Sequence, residues 1–425
     1  MFDLLIKNAR LAEGLMDIGI KDGKIKSLRR NIDDQATLEI DAEANFVTPP
    51  FVDPHFHLDS TLSYGQPRVN QSGTLLEGIA LWGELKPTQS MEIFRDRALE
   101  FCQWSLARGT LALRSHVDIT DDRLLAVEAL LDVREKMKPY MDIQLVAFPQ
   151  DGFLRSPKSK ENLLRALEMG VDVVGGIPHF ERTMDEGGNS VRQLCEIAAD
   201  KGLMVDMHCD ESDDPLSRHI EALSAQTVRL GMQGRVTGSH LTSMHSMDNY
   251  YVSKLMPLMA EAQIHVVANP LINITLQARH DTYPKRRGMT RVKELFEAGI
   301  NVAFGHDCVM DPWYSLGSHD MLEVAGMGLH VGQMTSVEQI QCCFDAVTTN
   351  GAKVMQLDDY GIETGNSANL VILDCKSAFD AIRLRPARLK VIRHGKVIAQ
   401  TDQARPKVTL NGETTEIDFI PSGMK

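Results

Sequence analysis

Cysteine is scarce: seven in 425 residues, an odd number, with Cys342 and Cys343 adjacent and no pair at CxxC spacing. That argues against a disulfide framework and favours a reducing, cytoplasmic setting. Long apolar runs are missing too. None approaches the ~18 residues of a membrane span, so no membrane partner is expected. The opening Met1-Phe2-Asp3-Leu4-Leu5-Ile6-Lys7 has an early acid and no extended apolar stretch, unlike a secretory signal. Positive charge is in deficit, with 45 Lys and Arg against 58 Asp and Glu and a formal charge of −13. Such a chain lacks the basic footprint of a nucleic-acid binder and is compatible with a neutral or cationic small molecule. The rest is ordinary for a globular protein: 43% apolar and 24% charged residues leave ample material for a core.

The two ends of the chain read alike. Asp3–Ile6, Met16–Ile20 and Lys24–Leu28 are short β-like runs, with the turn Lys21-Asp22-Gly23 between two of them. Ala368–Leu373, Leu389–Arg393 and Val397–Ala399 repeat the style, and His394-Gly395-Lys396-Val397 mirrors Asp22-Gly23-Lys24-Ile25. One small β-domain joined from both ends explains this better than two unrelated extensions. The middle alternates apolar runs with amphipathic stretches. Eight runs stand out: Phe46–His57, Leu111–Val117, Asp142–Pro149, Val171–Pro178, Met204–His208, Val236–His240, His265–Pro270 and Asn301–His306. Helical patterns include Asp121–Lys138, Ser190–Lys201 and Pro215–Leu230. Eight strand-helix units point to a TIM barrel. An open doubly wound sheet is the runner-up, weakened because no GxGxxG follows the first run. The fold class is thus α/β: a (β/α)8 TIM barrel over 50–359 and a small β-sandwich built from 1–49 and 360–425.

In such a barrel the chemistry sits at the C-terminal ends of the strands. Seven of the 14 histidines fall there: His55, His57, His116, His179, His208, His240 and His306. Alternate residues of a strand share a side, so His55 and His57 can both face the barrel mouth. With His208 and Asp307 from other strands they form a mixed imidazole and carboxylate set for one divalent ion, zinc or iron(II). The ion lowers the pKa of a bound water toward ~7 and so supplies hydroxide. Glu211, three residues beyond His208, is placed to shuttle a proton. His240 is read as a partner of the hydroxide rather than a ligand, and His116, His179 and His306 as orienting groups.

These residues resemble the amidohydrolase superfamily, and more closely the bacterial cytosine deaminases. The matching stretches are Pro49-Pro50-Phe51-Val52-Asp53-Pro54-His55, Asn70-Gln71-Ser72-Gly73-Thr74-Leu75, Val146-Ala147-Phe148-Pro149-Gln150, Ile177-Pro178-His179-Phe180-Glu181, His208-Cys209-Asp210-Glu211, Tyr283-Pro284-Lys285-Arg286-Arg287-Gly288 and Phe304-Gly305-His306-Asp307. The resemblance covers nearly the whole chain. The resemblance implies that His55, His57, His208 and Asp307 hold the ion, that Glu211 protonates the ring nitrogen beside the attacked carbon, and that His240 and Asp307 handle the water's proton. It also places Gln150 on the oxo-bearing edge of a pyrimidine, helped by the backbone of Leu75, with Phe148 and Trp313 in the ring pocket. The implied reaction is hydrolysis of cytosine or 5-methylcytosine at C4 to uracil or thymine plus ammonia, by a cytoplasmic homo-oligomer. Run four offers no lysine for a carbamate bridge, as suits a one-metal site.

One departure bears on specificity. The family usually has a second Asp after the metal Asp, and here Cys308 stands instead. A thiol removes a charge and frees apolar room near C5, and a methyl group filling such room is worth roughly 1–3 kcal/mol. Better acceptance of C5-substituted cytosine, 5-methylcytosine above all, than in the Asp-bearing relatives is therefore expected. The alternatives are retained cytosine preference, another aminated heterocycle such as isoguanine, isocytosine or a triazine, and a non-enzymatic scaffold. The basic Lys285-Arg286-Arg287 is read as salt-bridging in the loop after run seven or at a subunit contact.

Overall fold

The computed structural model describes residues 1–421; residues 422–425, the tip of the expected C-terminal stretch, lie outside the described residues. Eight strands form one all-parallel sheet in sequential order: β1 (Phe51–Phe56), β2 (Thr110–Asp118), β3 (Asp142–Phe148), β4 (Val173–Gly176), β5 (Met204–Cys209), β6 (Val236–His240), β7 (His265–Ala268) and β8 (Asn301–Phe304). Backbone bonds just past β8 close the ring. Asp307 N donates to His55 O at 2.9 Å and His57 N donates to Asp307 O at 3.1 Å. The barrel expectation holds, and the open sheet does not.

The strands are apolar because both faces are covered, as parallel sheets require. All nine residues of β2 and all six of β1 are buried. Arg114, in β2, is costly to bury: it sits inside the barrel, fully enclosed. Asp206 accepts from it at 2.9 Å, Gln144 at 3.0 Å and the Val354 carbonyl at 2.8 Å. A buried charge persists only when paired and hydrogen-bonded in this way.

The chain ends meet in a second sheet. Its order is Lys396–Gln400, Arg388–Arg393, Leu370–Leu373, Phe46–Thr48, Phe2–Leu11, Gly14–Lys21 and Lys24–Arg29, with Ala36–Asp41 pairing beside Phe2–Leu11. Leu370–Leu373 lies antiparallel to Phe46–Thr48, which stitches the C-terminal part to the N-terminal part. The two expected hairpins are present, and Ala368 bridges their turns through Ala368 N to Gly23 O and Gly395 N to Ala368 O.

Two local expectations are corrected. The run Phe46–His57 is not one strand. Pro49 and Pro50 interrupt it, since proline has no N–H to give a ladder. Phe46–Thr48 pairs in the end sheet and Phe51–Phe56 opens the barrel. The helix expected from Ser190 starts at Met184, capped by Thr183, whose side chain accepts from Glu186 N. Gly187 and Gly188 hide that start, because glycine is a poor helix former.

Candidate active site

The mouth of the barrel gathers side chains from all around the ring. The pocket has an empty volume of about 330 Å³ and is lined by His57, Leu75, Gln150, Ile177, His208, Glu211, His240, Ile272, Leu276, Asp307, Cys308 and Trp313. Backbone geometry presents the groups: His240, the last residue of β6, and Asp307, three residues past β8, both take positive φ, 70° each. Non-glycine residues seldom adopt that conformation, and such strain gathers at functional sites.

Donor atoms of His55, His208, His240 and Asp307 all lie within 4.8 Å of one another. His57 joins them. Its Nε2 is 3.0 Å from His208 Nε2 and 3.4 Å from Asp307 Oδ1, and His55 Nε2 is also 3.4 Å from that oxygen. Both ring nitrogens of His55 and Nδ1 of His208 are buried with no hydrogen-bond partner. Converging, unpartnered imidazoles around a carboxylate suit a divalent cation. Electrostatics agrees. Burial pushes His57 down to about 4 and His208 and His240 well below the ordinary histidine value, so these rings are neutral donors. Burial alone would lower the His55 ring and raise the Asp307 carboxyl, but the two face each other: Asp307 lifts His55 above the ordinary histidine value, and His55 in turn holds Asp307 below the ordinary carboxylate range.

Glu211 behaves oppositely. Burial first, and the Asp307 charge second, hold its carboxyl well above the usual range. Its Oε1 is 3.6 Å from His240 Nδ1. A carboxyl kept protonated in a cleft is a proton donor in waiting. Cys308 remains a neutral thiol, since burial, then Asp307 and Asp311, push it up.

Most residues singled out from sequence converge on this pocket. Phe148 stands one layer back, its ring stacked on His208 at 4.1 Å. His116 is buried 4.2 Å from the His55 ring, with neither nitrogen bonded. Sequence reading missed the groups that support these. Asn273 Nδ2 lies 3.0 Å from His240 Nδ1, and Asn269 Nδ2 lies 3.3 Å away. Strand seven ended without an ionisable residue, so nothing drew attention to it. Asp53 binds His319 Nε2 at 2.8 Å and accepts from His55 N and His306 N at 3.2 Å, tying β1 to the end of β8. Glu181 accepts from the backbone of Phe153, Leu154 and Arg155, which fixes the loop after Gln150. Asp210 gathers Ser217 Oγ, His219 Nδ1 and Ile220 N beside Glu211. In the loop after β7, Arg286 pairs with Asp281, while Lys285 and Arg287 donate to the carbonyls of Ala278 and Val331.

Comparison with known proteins places this geometry. A model described as "Amidohydrolase family" matches residues 38–401. The chain is 30% identical over 410 residues to N-isopropylammelide isopropyl amidohydrolase of Pseudomonas sp. (strain ADP), covering 94% of this chain and 98% of that protein. It is 29% identical over 395 residues to pterin deaminase of Rhizobium rhizogenes, covering 91% and 89%. In structure it is similar to 5-methylcytosine deaminase from Klebsiella pneumoniae liganded with phosphonocytosine, with a TM-score of 0.91 and 43% identity over 94% of this chain and 98% of the other. The family and the histidine-aspartate cluster together show a divalent-metal site. A match of this length extends from the end sheet through the whole barrel, and the chain belongs to the amidohydrolase family.

Proposed function

We propose that this amidohydrolase deaminates a free pyrimidine base at C4, converting 5-methylcytosine or cytosine and water to thymine or uracil and ammonia. The observation that carries the reading is the small pocket in which a protonated carboxyl (Glu211), a primary amide (Gln150), an aromatic wall (Trp313) and a thiol (Cys308) surround a metal-binding cluster. The likeness to a 5-methylcytosine deaminase over nearly the full length supports it.

His55, His57, His208 and Asp307 would hold one ion, zinc or ferrous iron. When bound, it supplies Lewis acidity and a water acidic enough to be deprotonated near neutral pH. His240 is better suited to hold a proton than to ligate. Asn273 Nδ2 can only donate, and at 3.0 Å from Nδ1 it leaves the ring proton on Nε2. Glu211 donates to the ring nitrogen beside the amino-bearing carbon, which makes that carbon electrophilic. As water adds there, Asp307 takes one of its protons while the His240 Nε2–H holds its oxygen; that proton passes to the amino group, which leaves as ammonia, and the remaining hydroxyl proton returns to Glu211 as the oxo group forms. Gln150 orients the ring by its oxo edge, Leu75 contributes backbone, and Phe148 braces His208 from behind. Cys308 leaves uncharged room that an aspartate would deny, so the 5-methyl base is the preferred substrate.

We read the protein further as a cytoplasmic homo-oligomer of pyrimidine salvage, with end-domain pieces 1–49 and 360–425 around a barrel at 50–359. Seven unpaired cysteines support the compartment, and among the described residues no helix is long and apolar enough to cross a membrane. Ammonia and pyrimidine release, measured with cytosine, 5-methylcytosine and isoguanine on metal-loaded enzyme, tests the reading. Release from the two pyrimidines above isoguanine is expected, and turnover of isoguanine alone would overturn it.

A further inference from the structure

The helix Leu75–Leu85 carries a buried glycine, Gly78, in its first turns. Glycine weakens a helix interior relative to alanine, so its use there points to a packing requirement. A Cβ added to Gly78 would lie 2.2 Å from Cδ1 of Trp313, 2.4 Å from Nε1 and 2.8 Å from Cγ. The indole rests where a side chain would otherwise be. It also lines the pocket, and its ring stacks 6.3 Å from that of His57.

Retreat from the helix is blocked on the main-chain side. Trp313 N and Tyr314 N each donate to Asp311 Oδ1 at 2.9 Å, and Ser60 Oγ donates to Asp311 Oδ2 at 3.1 Å. The helix is fixed as well: Thr74 caps it, and Trp82 Nε1 donates to Asp118 at 2.8 Å. The indole itself has no such tether, for Trp313 Nε1 is buried without a partner. Its depth in the pocket is therefore set by contact with the bare Cα of Gly78.

We propose that Gly78 is a specificity-determining positioning residue: by admitting the Trp313 indole it sets the width of the pocket that Trp313 and Cys308 line, and so the room for a substituent on the pyrimidine ring. The inference rests on the deaminase reading above. A methyl at position 78 obliges the indole to move by more than an ångström to regain ordinary contact. With the main chain pinned and the helix behind it, the movement is into the pocket. Cytosine loses little, and the base bearing a 5-methyl group loses its space.

The test measures kcat/KM for cytosine and 5-methylcytosine with the metal-loaded parent, Gly78→Ala, Trp313→Leu and the pair, together with Tm and metal content. Gly78→Ala lowers the ratio of 5-methylcytosine to cytosine about tenfold or more, chiefly through KM, at unchanged metal content. In the Trp313→Leu background the same methyl changes the ratio less than about twofold, because its collision partner is gone. A ratio within about twofold of the parent, or equal effects in both backgrounds, overturns the proposal. Should Gly78→Ala alone fail to fold, recovery of the fold in the pair supports the clash and no recovery overturns it. A parent inactive on both pyrimidines fails the deaminase reading itself, before any variant is compared.

Discussion

At the residue scale the chemistry turns on two neighbouring carboxyls pushed in opposite directions. Burial alone would raise both; the His55 ring holds Asp307 below the ordinary carboxylate range, whereas burial and then the Asp307 charge push Glu211 well above it. Glu211→Gln keeps the shape and one hydrogen-bond donor but cannot cycle a proton. It should lower kcat by about 10²–10⁴-fold with little change in Tm, a loss typical of a missing general acid; an unchanged kcat would remove Glu211 from the chemistry. Cys308 is the second test at this scale. Cys308→Asp places a carboxylate beside Asp307 and fills the apolar room, so the preference should move toward cytosine by roughly 10-fold or more, read as the ratio of kcat/KM values. The metal-facing histidines were legible because they cluster at strand ends. Asn273 and Asn269 were not, since an amide four residues from another has no signature until β6 and β7 bring both against His240.

At the scale of elements, strand period and turn residues located the eight barrel strands, and glycine or proline caused the misses. Pro49-Pro50 divides one apolar run between two sheets, and Gly187-Gly188 conceals a helix start. Contacts that bind elements together were invisible for a different reason: their partners are far apart in sequence. Ser60 and Asp311 are separated by 251 positions. Arg388, in the end sheet, reaches Asp320, which caps the barrel helix Met321–Gly332, and Arg108 lies 3.5 Å from the same carboxylate. Burial alone would raise the Asp320 carboxyl, but Arg388 and Arg108 hold it below its ordinary value. Asp320 therefore contributes stability that is fully present above the unfolded pKa of ~3.9 and is lost as pH falls through the lower folded value. Asp320→Asn should cost about 3 kcal/mol at pH 7, since it leaves a buried guanidinium unpaired. The difference in Tm from the parent should shrink as the pH is lowered below ~4; a pH-independent difference would rule out the charge as its cause.

At the scale of the whole molecule, one sheet made from both chain ends and one barrel carry a single site, and the family likeness runs through both. The negative charge noted at the outset never identified a substrate, but it agrees with a neutral base. Burying so many neutral imidazoles in one mouth leaves their nitrogens unsatisfied, which an ion relieves. Chelation should therefore abolish turnover and lower Tm, and stoichiometric zinc or ferrous iron should restore both, because a ligand bound only by the folded state stabilises it. Conversion of 5-methylcytosine is the chemistry these groups are assembled to perform. Its most direct test is product analysis after incubating the metal-loaded protein with 5-methylcytosine: the account predicts thymine and ammonia in equal amounts, formed with a higher kcat/KM than uracil from cytosine, and the absence of thymine from active, metal-replete protein would contradict it.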